Sequence, residues 1–183
     1  MKRYVRIALV ALAVVGLAAC GGSGEKKEEA VASFASAVEG SDAFVGVVVD
    51  QTEDRVLAYV CDGKSTGTWF SGAPSEDGTL ALTATDGARL SGRIADGALS
   101  GTVTLAGDPS PRPFHSKSVS APAGLYRARG EGRGQPAVGG WIVLADGSQR
   151  GGVRTSSGFT STDTDLAKPG KPVTSFTSTD IDF

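Results

Sequence analysis

From Ala43 onward, apolar and polar residues alternate with period two, the spacing of a half-buried strand whose successive side chains point to opposite faces. The stretch "GTLALTATDGARLSGRIADGALSGTVTLAG" shows this most clearly. Leu80, Leu82 and Ala84 form one row; Ala88, Leu90, Gly92 and Ile94 a second; Leu99, Gly101, Val103 and Leu105 a third. Apolar rows must coincide across a ladder, because a one-residue slip turns a whole strand over. That demand selects the turns. A two-residue type I′ loop at Asp96-Gly97 sets Ala95 opposite Ala98, Ile94 opposite Leu99, Gly92 opposite Gly101 and Leu90 opposite Val103. The same loop at Asp86-Gly87 would set Leu82 against Ser91 and Leu80 against Arg93. A three-residue loop, Thr85-Asp86-Gly87, restores Leu82 to Leu90 and Leu80 to Gly92, with Gly87 at the left-handed position of a G1 bulge. Two identical dipeptides therefore predict two different hairpins. Further Asp-Gly pairs at 62-63, 77-78 and 146-147 mark other turns.

The alternate positions, Thr79, Thr83, Arg89, Ser91, Arg93, Ser100, Thr102 and Thr104, are polar, so this sheet has one wet face and one dry face that must be covered. Facing Gly92 and Gly101 leave a gap in the dry face, which suits a bend or a seat for an aromatic ring such as Trp69 or Trp141. Candidate strands also run over 43–50, 55–61, 67–71, 112–119, 124–128, 139–145 and 149–155. The expectation is all-β: an antiparallel meander of about ten short strands, closed as a small barrel or a two-sheet sandwich, over residues 43–155. A membrane-spanning barrel needs strands of roughly 9–11 residues and aromatic girdles, and the pattern lacks both.

Ahead of the strands the pattern differs. Lys2, Arg3 and Arg6 precede an uncharged run, Ile7 to Gly16, and small residues follow at Ala18 and Ala19. Such a run is too short for a bilayer, which takes about 20 residues, and has the three-part layout of a secretory signal over residues 1–19. Leu17-Ala18-Ala19-Cys20 resembles the lipobox of bacterial lipoproteins. The resemblance implies that Leu17, Ala18 and Ala19 are read by the processing machinery. It also implies that cleavage precedes Cys20 and that this cysteine carries a diacylglyceryl group on sulfur. Two or three acyl chains, such as palmitate, hold firmly where one alone binds marginally. Residues 20–42 then read as a lipidated tether: "GGSGEKKEE" is glycine-rich and charged, and Val31, Phe34 and Val38 lie at helical spacing before Gly40, which predicts a short helix. "GLYRARG" and "GGWIVLADGSQRGG" are similar to stretches of small actinobacterial lipoproteins of uncharacterised role. That likeness implies the outer leaflet of the cytoplasmic membrane and no particular activity.

Charge and candidate chemistry narrow the function. Without Lys2, Arg3 and Arg6 there are 15 basic against 20 acidic residues, which argues against nucleic acid as a partner. If Cys20 carries lipid, Cys61 is left as a possible free thiol; it shares a strand face with Leu57 and Tyr59, where cysteine acts as a small apolar residue. The one histidine, His115, lies in "RPFHSKS" without a nucleophile elbow or a triad pattern, and one histidine with one thiol falls short of a zinc set. No catalytic residue, metal or cofactor is assigned. The C-terminal extension, 156–183, is acidic and repeats itself: "FTSTDTDL" at 159–166 and "FTSTDIDF" at 176–183. Asp163, Asp165, Asp180 and Asp182 lack the glycine-bearing loop of a calcium site. The expected function is that of a membrane-anchored, non-enzymatic envelope protein acting through contact with a protein partner. The alternative is a binding module for a small apolar or amphipathic ligand, recognisable by a continuous apolar cavity.

Overall fold

The computed structural model describes residues 31–132 and 134–163 and the backbone of residues 171–172. Leu17, Ala18, Ala19 and Cys20, the "GGSGEKKEE" stretch and the second tail repeat lie outside the described residues. Twelve strands, with one two-residue segment, form three antiparallel sheets. The first sheet is a meander of β1 (Val31–Ala37), β2 (Phe44–Asp50), β3 (Arg55–Cys61) and β4 (Gly67–Gly72). The second is a meander of β5 (Thr79–Thr83), β6 (Arg89–Ala95), β7 (Ala98–Thr104) and β8 (Arg112–Lys117). The third contains β9 (Gly124–Gly132), β10 (Gln135–Val143), β11 (Gln149–Thr155), β12 (Gly158–Ser161) and β13 (Lys171–Pro172), in the order β12-β11-β10-β9-β13. No closed barrel is found among the described residues, which form three sheets rather than one or two.

Both hairpin registers derived from the Asp-Gly turns are present. Ile94 pairs with Leu99, Gly92 with Gly101 and Leu90 with Val103, across a turn in which Asp96 (φ 51°) and Gly97 (φ 71°) are both left-handed, as type I′ requires. Leu82 pairs with Leu90 and Leu80 with Gly92. There Ala84 N donates to Ala88 O (2.9 Å), Gly87 N donates to Ala84 O (3.0 Å), and Gly87 alone is left-handed (φ 87°). The loop at Asp146-Gly147 repeats this form: Leu144 N donates to Ser148 O at 2.9 Å.

Two expectations are corrected. The stretch around Val31, Phe34 and Val38 is not a helix: it is strand β1, paired with β2, and the turn after it. Alternation decides, since Phe34 and Val38 pack toward the second sheet while Val31 and Ala35 pack toward the third. Helical spacing was available, but pairing with the valine-rich β2 offers a full ladder and two covered faces. Gly40 (φ 66°) is a turn glycine between β1 and β2, in the loop where Val38 N donates to Ala43 O. The ring seated at the facing glycines is Phe114, not Trp69 or Trp141. Phe114 is the direct cross-strand partner of Gly101, so it shares that face at the closest spacing.

The first sheet is covered on both sides. Val45, Val47, Val49, Val56, Ala58 and Val60 join Leu80, Leu82, Leu90, Leu99, Val103 and Phe114 of the second sheet in one cluster. Val48, Leu57, Tyr59 and Cys61 join Leu125 and Ile142 of the third sheet in another. Every residue of β2 is buried, and a Cβ added to Gly46 would press on Leu125 and Ile142 at 3.2 Å. Beside these packed faces, β1 and β8 are stitched at the bridges Phe34 to Ser118 and Val38 to Phe114. Buried Ser116 accepts from Ala35 N (3.0 Å) and donates to Ala35 O (3.1 Å).

Candidate functional site

Where the first and third sheets meet, the β3–β4 loop faces the β11–β12 edge, and two clefts open along this seam, one beside Lys64 and Arg150 and one beside Trp69 and Arg154. The loop is shaped by Asp62, whose carboxylate accepts from the backbone N–H of Lys64 (2.8 Å), Ser65 (2.9 Å) and Thr66 (2.8 Å). This is an Asx-type arrangement. Partial burial pushes the Asp62 carboxyl up, but the N–H donors of Thr66, Lys64 and Ser65 outweigh it and hold the pKa below the ordinary 3.8.

The first cleft, about 310 Å³, is lined by Asp42, Asp62, Lys64, Arg150, Ser161 and Asp163 among others. Lys64 Nζ lies 2.5 Å from Asp42 Oδ2, and this bond lowers the Asp42 pKa and raises that of Lys64. The Arg150 guanidinium stacks 4.7 Å from the Phe44 ring centroid, and its Nε donates to the Asp42 carbonyl (3.3 Å). Positive and negative groups thus neutralise one another here. Asp163 reaches this rim, while Asp165, Asp180 and Asp182 lie outside the described residues. Among the described residues, no group of three His, Cys, Asp or Glu side chains is placed to hold a metal.

The second cleft, about 160 Å³, is lined by Gly67, Thr68, Trp69, Thr85, Asp86 and Arg154. Trp69 packs on Tyr59 with ring centroids 4.4 Å apart, and the Arg127 guanidinium lies 5.8 Å from its ring. Arg154 Nη2 donates to Gly67 O (2.8 Å), and Thr68 Oγ1 donates to Asp86 Oδ2 (2.8 Å). Trp69 is half-buried because Gly140 gives its ring room: a Cβ there would lie 2.6 Å from the Trp69 ring. Register places Arg127 opposite Gly140 and Arg154 opposite Phe159, so one face of the third sheet carries both arginines beside both rings. The sequence contains the residues of this group, Arg127 and Arg129 two apart in "GLYRARG" and Gly152 and Arg154 two apart in "GGVRT". The grouping became legible only once the register joined them to Trp69.

Cys61 lies beneath the first cleft. It is a free thiol, fully buried, on the face shared with Leu57 and Tyr59 as its spacing indicated. Burial raises its pKa, against the opposing bond from Gly63 N to Sγ (3.3 Å). His115 is elsewhere, exposed on the second sheet, with Nδ1 2.8 Å from Ser100 Oγ of its cross-strand partner. The two are not brought together, and a Cys61–His115 pair is excluded. The Ser100–His115 contact lies on the wet face of the second sheet.

Comparison of the chain with protein-family models, curated proteins and solved structures finds no match.

Proposed function

We propose that the protein is an extracytoplasmic lipoprotein, held to the cell membrane through Cys20, which acts without catalysis by contact with another envelope protein. The observation that carries this reading is the distribution of space. Between the sheets the volume is filled by fully buried side chains, among them Tyr59, Phe34, Phe70, Leu57, Leu80 and Leu90. The described clefts are open at the surface and of mixed lining: charged groups line the one of about 310 Å³, and the one of about 530 Å³ sets Gln51, Asp54, Glu76 and Asp77 beside Val49, Pro74 and Ile94. A carrier of apolar molecules needs the reverse. Tryptophan, phenylalanine and arginine gathered at Trp69, Phe159, Arg127 and Arg154 have the composition that dominates protein interfaces. In this reading the finer architecture is a three-layer sandwich with the first sheet in the middle, not a barrel with a lumen. The tether before Val31 sets that face at a distance from the membrane.

A photo-crosslinking residue at Thr85, on the rim of the second cleft, tests the contact in the membrane-anchored protein. One discrete adduct is expected, suppressed by Arg154→Glu, with none from the same group at Ser91 on the wet face of the second sheet. Equal labelling at both positions would overturn the reading. A small-molecule mass retained in native mass spectra and lost on denaturation would favour the binding module instead. Anchoring is tested separately: Cys20→Ser moves the protein from the membrane fraction to the soluble one.

A further inference from the structure

The tail repeat is only half used by the described fold. Its first copy, Phe159-Thr160-Ser161-Thr162-Asp163, is the edge strand β12 and its continuation, paired to β11 with Arg154 opposite Phe159 and Gly152 opposite Ser161. The seat is cut to this sequence. The Phe159 ring fills the space that a Cβ on Gly152 or Gly67 would take, with the Arg154 guanidinium 5.8 Å from its centroid. Ser161 Oγ donates to Gly63 O (2.7 Å), Thr162 N donates to Gly151 O (3.1 Å), and Trp141 Nε1 donates to Thr162 O (2.9 Å). Every residue making these contacts recurs in the same order at Phe176, Thr177, Ser178, Thr179 and Asp180.

We propose that this seat on β11 is a strand-recognition site for the sequence Phe-Thr-Ser-Thr-Asp, and that its second occupant is residues 176–180 of the same chain. The inference stands apart from the contact reading. The two occupancies exclude each other, and so does one further pairing. β13 lies at the far edge of the third sheet, four strand spacings or about 19 Å from the β12 position. The four residues from Pro172 to Phe176 reach about 14 Å at full extension, so the second copy enters the seat only when residues 171–172 leave β9. The first copy holds the advantage in the native chain, because it follows β11 through a two-residue turn, Ser156-Ser157. Seating the second copy closes a loop about ten times longer, which lowers its population roughly thirtyfold. What the spare copy secures is the sheet edge: when the first copy is drawn off, the unpaired groups of β11 are covered again instead of being offered to other chains.

The test uses the full chain with a cysteine pair that reads the register. Val153 is opposite Thr160 in the described arrangement and would be opposite Thr177 in the exchanged one. In a Val153→Cys/Thr177→Cys chain, mild oxidation followed by peptide mass mapping is expected to give an intramolecular 153–177 disulfide. Its yield should rise at least tenfold when Phe159→Ala weakens the first copy, and vanish when Phe176→Ala is added. Failure to rise, while the control pair Val153→Cys/Thr160→Cys closes, overturns the proposal. So does a disulfide formed only between chains, which would make another copy the occupant. Unfolding midpoints give an independent reading. Phe176→Ala alone should change nothing, Phe159→Ala should lose stability by no more than the roughly thirtyfold loop penalty, and the double variant should lose more than their sum; equal midpoints for Phe159→Ala and the double variant overturn exchange within the chain.

Discussion

Cys61 shows how one buried side chain makes stability depend on pH. Its thiol is fully enclosed between the first and third sheets, and burial raises its pKa above the ordinary 9.0. The folded protein therefore holds this proton more tightly than the unfolded chain does. A raised folded pKa gives stability that is whole below pH 9.0 and declines as pH climbs through the folded value. Tyr59, beside it, is raised by burial in the same direction, but its window opens only above its ordinary 10.0. Between about pH 9 and pH 10 the loss is thus expected to come mainly from Cys61. Thermal midpoints should fall across this interval in the native protein and stay flatter in Cys61→Ala. The same burial predicts that an aromatic disulfide reagent at pH 8 leaves the native thiol untouched and titrates it after unfolding. Rapid labelling of the folded protein would show that the thiol is accessible and remove the basis for the alkaline limb.

At the scale of strands and turns, the two hairpins around β6 carry the sharpest comparison. Asp96 sits at φ 51° and Asp86 does not, although each precedes a glycine. Asp96→Ala puts a Cβ-bearing residue without a local hydrogen-bonding side chain into the left-handed region and should cost about 1 kcal/mol. Asp86→Ala leaves the backbone unstrained but removes the acceptor of Thr68 Oγ1 and Ala88 N, at about 1–3 kcal/mol. Adding Thr68→Val separates them in chemical denaturation: it should shrink the Asp86→Ala effect and leave that of Asp96→Ala unchanged. These turns were legible because alternation is strict on both sides of each Asp-Gly and only one loop length keeps the apolar rows together. β1 was not legible. Val31, Phe34 and Val38 lie three and four apart, the helical spacing, and the strand was imposed by pairing with β2, which the stretch itself does not contain. The run "FVGVVVD" held an unused signal, since a continuous apolar strand is one covered on both faces, and that alone implies a third layer of side chains. The arginine–aromatic face was hidden for a related reason: Arg127, Gly140 and Arg154 come together through third-sheet register, without an alternation strict enough to derive it beforehand.

For the molecule as a whole, the two-sided burial of the first sheet bears on how it unfolds. Val47 and Val48 are chain neighbours, yet one packs with Leu99 of the second sheet and the other with Ile142 of the third. Neither outer sheet can leave without exposing a face of the same central strands, so loss of one interface weakens the support of the other. Leu99→Ala and Ile142→Ala, both at fully buried positions, should each cost about 2–5 kcal/mol. The informative quantity is where the loss appears. If the three sheets form one cooperative unit, both substitutions shift a single transition, with tryptophan fluorescence from the third-sheet seam and far-ultraviolet circular dichroism moving together. If the outer sheets instead unfold independently, Ile142→Ala brings forward an early fluorescence change while much of the strand signal persists, and Leu99→Ala leaves that early step in place. Coincident curves for both variants would establish the first sheet as the element through which the two cores are coupled.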